Sequence, residues 1–141
     1  MNKLTGVIND KGKIIYWSNE VFSDTYMTRP SNTELDNFIS YNLVNNHFIK
    51  RKSTPKTNAH MGIHRNLDPL YDFGETRLIK NLVHDLPLRT SALRTLGAFS
   101  NVVALECFIN EIAKTKNIDP FEIRINHPVS YTHLTLPTRL S

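Results

Sequence analysis

The 141 residues carry 17 lysines and arginines against 13 aspartates and glutamates, a formal charge of +4, and a single cysteine. That length corresponds to one domain, and no stretch approaches the ~18 consecutive apolar residues of a membrane-spanning helix. Cys107 alone excludes an internal disulfide, a zinc-finger spacing and an iron–sulfur ligand set.

In chain order, Leu4 to Ile8 and Lys13 to Trp17 are short apolar-leaning runs joined by Asn9, Asp10, Lys11 and Gly12. Gly12 can supply the positive φ of a bulged turn, so this reads as a β-hairpin. Its second arm is expected to continue through Val21 and Phe22, with a bend or irregular pairing at Ser18 and Asn19. Nothing from Met1 to Gly6 resembles the apolar core of a signal peptide, and the compartment, cytoplasmic or periplasmic, stays open.

After Pro30, Ser31 and Glu34 have capping-box spacing, and Leu35, Phe38, Ile39 and Leu43 share a face, which predicts a short helix. The asparagine-rich interval from Asn42 to Thr57 reads as loop. It contains the one basic concentration, Lys50, Arg51, Lys52 and Lys56, but no aromatic platform or binding motif, so no nucleic-acid partner is expected.

His60 and His64 stand four apart, but Gly62 lies between them and the glutamate of a zinc-binding HExxH is absent. They read as polar loop histidines, and no metal site is predicted. Glu75 to Val83 follows a punctuated approach, Asp68-Pro69 to Gly74. Because Asp85 and Pro87 end the run, it is predicted to be a strand feeding a loop.

The richest stretch is Leu86 to His127. Arg89 and Arg94 flank Thr90 to Leu93, and Gly97 precedes a helix expected to begin near Asn101. Val102, Leu105, Ile109, Ile112 and Ala113 recur at helical spacing and predict a buried stripe. Phe108 widens that stripe and is expected to meet another part of a larger protein. Glu106 reads as a buried or networked carboxylate, Glu111 as exposed and Glu122 as part of a cap. Lys114 and Lys116 suit the last turn, and Asn117 can take the left-handed conformation that ends it. Ile118, Asp119, Pro120 and Glu122 then mark a second helix start: staple, N-cap, N1 and capping-box partner. An arginine near a helix start can join backbone amides in recognising an anion or a developing oxyanion.

The final thirteen residues, Val129 to Ser141, have no periodic or capping relation to that helix. The first ten resemble the translated adapter of a transposon-based sequencing library, so the segment is expected to be non-native and is set apart from fold reasoning.

From Leu88 to His127 the chain resembles an interior segment of the large, molybdopterin-binding subunit of the xanthine dehydrogenase and aldehyde oxidase superfamily, in its isoquinoline 1-oxidoreductase-like branch. The carriers are Ala92-Leu93-Arg94, Gly97, the helix containing Glu106, Glu111-Ile112-Ala113 and Asp119-Pro120-Phe121-Glu122-Ile123-Arg124. Tyr71, Arg77 and the N-terminal hairpin extend the likeness. The resemblance implies an oxidoreductase that hydroxylates a small organic substrate with oxygen from water at a molybdenum cofactor, molybdopterin cytosine dinucleotide or a related form. Electrons would leave through an iron–sulfur subunit or another acceptor.

Arg94 corresponds to the family's active-site arginine, which orients substrate and stabilises developing charge. The purine-oxidising members carry an Arg-Gly-Phe-Gly run where this chain has Arg94-Thr95-Leu96-Gly97, so an N-heteroaromatic or aldehyde substrate is expected instead. The family's glycine-rich cofactor loop and the segment bearing its general-base glutamate have no counterpart here. Residues 1–128 are therefore expected to form an incomplete α+β piece: hairpin, later strand and two C-terminal helices. It would retain no cofactor and be inactive alone. The competing expectation is a small non-catalytic interaction or scaffold module.

Overall fold

The computed structural model describes residues 1–24, 62–84, 86 and 93–128. They form an α+β unit of three strands, β1 (Asn2–Ile8), β2 (Ile14–Ser23) and β3 (Glu75–Leu82), and two helices, α1 (Ala98–Lys116) and α2 (Pro120–Ile125). The hairpin, the later strand and both C-terminal helices are as the sequence predicts. The expected helix around Ser31 to Leu43, the Asn42 to Thr57 loop and the Val129 to Ser141 tail lie outside the described residues.

The hairpin turn is built by Asn9, whose Oδ1 accepts from the Lys11 and Lys13 amides, each at 3.0 Å. Gly12 takes φ +75° as the turn requires. β2 runs without interruption through Ser18 and Asn19, opposite Thr5 and Leu4. The irregularity falls instead where one step on β1, Val7 to Ile8, faces two steps on β2, Tyr16 to Ile14. The extra residue, Ile15, makes a bulge that resets the strand's alternation. Ile14 therefore shares the buried face with Trp17, Asn19 and Val21, while Ile15 is exposed.

β2 is the central strand and pairs in parallel with β3, from Tyr16↔Glu75 to Ser23↔Leu82. α1 lies over β1, whose Asn2, Leu4, Gly6 and Ile8 alternate toward the covered side. The main core unites Ile14, Trp17, Phe73, Leu105, Ile109, Ala113 and Ile123. Burying a side chain such as Ile109 completely is worth about 1.5–3 kcal/mol, so this cluster is what holds helix to sheet. A second cluster joins Val21 to Ile63 and Leu67.

The helical stripe is rotated slightly from the expected one. Asn101, Leu105, Ile109 and Ala113 are buried, Ile112 packs at the margin, and Val102 is exposed. A buried asparagine takes the place of Val102 because its polar atoms find partners, described below. Phe108 packs inward against Trp17, with ring centroids 5.5 Å apart.

α1 ends as the sequence predicts. Asn117 is left-handed, at φ 53°, and the Ile118 amide reaches back to the Ala113 carbonyl at 2.9 Å. Asp119 caps α2 by accepting from the Phe121 amide at 2.7 Å, with Pro120 in its first turn. After α2, the chain returns to the segment before β3. The Asp72 amide donates to the His127 carbonyl at 3.0 Å, and Tyr71 bridges Pro128.

Candidate functional site

Arg94 opens a tight turn, Arg94 to Gly97, and is exposed. Thr95 and Leu96 are both left-handed, at φ 74° and 58°. Each such non-glycine residue stores about 1–3 kcal/mol and persists only where its surroundings determine it. The turn is closed by Leu96 N–H donating to the Leu93 carbonyl at 3.0 Å and Ala98 N–H to the Thr95 carbonyl at 3.1 Å. α1 then starts at Ala98, earlier than the expected Asn101, with Gly97 at the N-cap and no side-chain cap. Arg89 and Thr90 to Ala92 lie outside the described residues, so Arg94 is the member of the arginine pair the structure places.

A second set of polar side chains converges at the middle of α1. Glu106 Oε1 accepts from the Tyr71 hydroxyl at 3.0 Å, and Glu106 Oε2 from Arg124 Nε at 2.8 Å. The Arg124 guanidinium also donates to Asn110 Oδ1 at 2.9 Å, to the Pro120 carbonyl at 2.8 Å and to the Glu106 carbonyl at 3.2 Å. Burial, and then the bond to Glu106 and its charge, push the Tyr71 phenol above its ordinary pKa, against an opposing pull from Arg124. Arg124 is occupied by its own neighbours and Glu106 by two donors. This knot is therefore a structural brace, and Glu106 is a networked carboxylate as the sequence indicates.

One cleft adjoins the Tyr71–Glu106 pair and another lies apart from it. The first, of about 150 Å³, is lined by Asn66, Asp68, Leu70, Tyr71, Val102, Leu105 and Glu106. The other, of about 540 Å³, lies between the hairpin turn and the α1–α2 junction, lined by residues such as Asp10, Lys11, Lys116 and Glu122. Arg94 lines neither. Compared with models of known protein families, with curated proteins and with solved structures, the chain matches none.

Among the described residues there is no group of three or more His, Cys, Asp and Glu side chains able to hold a metal, and the Arg94 turn lines neither of these two clefts. His60 lies outside the described residues, while His64 Nδ1 lies 3.3 Å from Lys80 Nζ. No described helix is long and apolar enough to cross a membrane.

Two polar residues that sequence patterning missed, Asn101 and His127, are buried among the core side chains. Asn101 is fully inaccessible, and its Nδ2 donates to the Ile63 and Arg65 carbonyls, each at 2.9 Å. His127 is also buried: its Nε2 accepts from the Ile14 amide at 2.8 Å and its Nδ1 faces the Ile123 carbonyl at 2.6 Å. That pairing requires the neutral ring with its proton on Nδ1. The one advance signal for Asn101 is its position four residues before Leu105, on the buried stripe itself.

Proposed function

We propose that the chain is a piece of the large subunit of a molybdenum hydroxylase of the xanthine dehydrogenase and aldehyde oxidase type, isoquinoline 1-oxidoreductase-like branch. In this reading the piece supplies Arg94 and the brace behind it, and alone neither retains cofactor nor turns over. The observation that carries the reading is the convergence of Tyr71, Glu106 and Arg124. All three belong to the segments in which the resemblance resides, and they meet in one bonded network across 35 and 18 positions of sequence.

In the parent enzyme the molybdenum cofactor would supply the oxidation of substrate carbon with oxygen drawn from water. This chain's part is electrostatic: the Arg94 guanidinium orients a small organic substrate and stabilises negative charge as it develops. Exposed Leu93 and half-buried Leu96 beside it favour an apolar N-heteroaromatic or aldehyde substrate. Electrons pass to an iron–sulfur subunit or other acceptor.

The test is to read the source DNA across both ends of the frame. Codons after His127 that continue into a carboxylate-bearing cofactor segment support the reading. A natural frame running from Met1 to Ser141 overturns it. That outcome would favour the interaction-module reading, which draws on exposed Phe99, Val102 and Val103 along α1.

A further inference from the structure

Arg94 leads directly into Thr95 and Leu96, two left-handed residues whose conformation must be imposed from outside the turn. A restraint lies immediately after them. A Cβ at Gly97 would stand 3.0 Å from the Ile63 carbonyl oxygen and 3.2 Å from that of Gly62, so the backbone of 62–63 rests directly on the start of α1. One turn further along, Asn101 grips the same segment through the Ile63 and Arg65 carbonyls. The opposite side of its carboxamide accepts from Asn2 Nδ2 at 2.8 Å, and that group also donates to Asn19 Oδ1 at 3.2 Å. Two donors are fixed by backbone carbonyls and the oxygen by an amide from β1, so the side chain has one orientation. It holds the helix start against the 62–67 segment and the sheet together.

We infer that Asn101 is a positioning residue: with Gly97 it latches the Arg94 turn to the 62–67 segment and β1, and thereby sets the backbone position from which the Arg94 side chain is presented. The inference rests on the role proposed above for Arg94. An aspartate at 101 would present carboxylate oxygen to two carbonyls and open the latch. An alanine at 97 would push back the 62–63 backbone, the Ile63 carbonyl that accepts from Asn101 included, while keeping the Asn101 side chain itself.

The test has two parts. In this chain, amide hydrogen exchange is measured for Leu96 and Ala98 in Asn101→Asp, in Gly97→Ala and in the control Glu111→Ala. The latch predicts exchange at least about tenfold faster at those two amides in both latch variants, and unchanged exchange at Ile109 and in the control. Exchange that rises evenly along α1, or not at all in the milder Gly97→Ala, overturns it.

In the parent enzyme with full cofactor content, Asn101→Asp should lower kcat by about tenfold to a hundredfold through misplacement, and should add almost nothing in an Arg94→Ala background. Equal losses in both backgrounds refute positioning through Arg94. An Arg94→Ala enzyme with undiminished kcat refutes the role of Arg94, and the positioning role with it, while the exchange result on the latch stands separately.

Discussion

Replacing Tyr71 with phenylalanine removes one hydroxyl from the brace at the middle of α1 and leaves the ring stacked on Phe73, 5.3 Å between centroids. A hydrogen bond to a charged partner contributes about 1.5–3 kcal/mol when well buried. The Glu106 side chain keeps 35% of its surface exposed, so solvent can replace part of the loss and a cost of about 1 kcal/mol at neutral pH is expected. The pH dependence follows from the raised pKa of the phenol. An unfolded Tyr71 ionises near its ordinary value of 10.0, while the folded one still keeps its proton. The stabilisation is therefore complete below that pH and is lost as the pH rises through the folded value. Urea unfolding followed by the fluorescence of Trp17, the sole tryptophan, measures both effects. Wild type should lose stability relative to Tyr71→Phe above about pH 10, so the two curves converge. Adding Arg124→Met completes a double-mutant cycle, and because both bonds end on Glu106 the coupling should reach about 0.5 kcal/mol or more. Parallel stability curves from neutral to alkaline pH, together with additive single effects, would show that the brace does not form.

Two further substitutions probe the frame that carries it. Ile109→Ala empties a fully buried position between α1 and the sheet and should cost about 2–5 kcal/mol, read as a lower urea midpoint with unchanged slope. A cost below about 1 kcal/mol would mean the helix is not packed on Trp17 and Phe73. Asp119→Ala removes the side chain that accepts from the Phe121 amide and should cost about 1 kcal/mol, whereas Asp119→Asn, which keeps an acceptor, should cost clearly less.

The features legible in the sequence are those decided by neighbours in the chain. Asn117 followed by Ile118-Asp119-Pro120 sets a helix stop and a helix start with local hydrogen bonds, and the structure places both there. Asn9 and Gly12 likewise contain the hairpin turn. What was not legible depended on distant partners. A polar residue on a helical stripe reads as outward-facing, yet Asn101 is buried because the Ile63 and Arg65 carbonyls and Asn2 supply partners. The bulge at Ile15 changes the phase of β2, so Ile14 joins a core that simple alternation from Trp17 would deny it. The parallel pairing of β3 with β2 has no local sign in either strand. At the candidate site, the networked character of Glu106 could be read from sequence, while the partners that engage it, Tyr71 and Arg124, could not.

Those contacts divide the work along α1. Leu105, Ile109 and Ala113 glue the helix to the sheet, but apolar contacts of this kind are non-directional and tolerate small slides and rotations. Polar clusters do not, because each bond is lost within a fraction of an ångström or a few tens of degrees. Asn101 fixes the N-terminal end of the helix against β1 and the 62–67 segment, and Glu106 fixes its middle against Tyr71 and Arg124. With two such points on one rigid 19-residue helix, axial position and rotation are both determined. In the positioning role inferred above, the backbone of the exposed Arg94 turn takes its place from groups that are themselves engaged with protein.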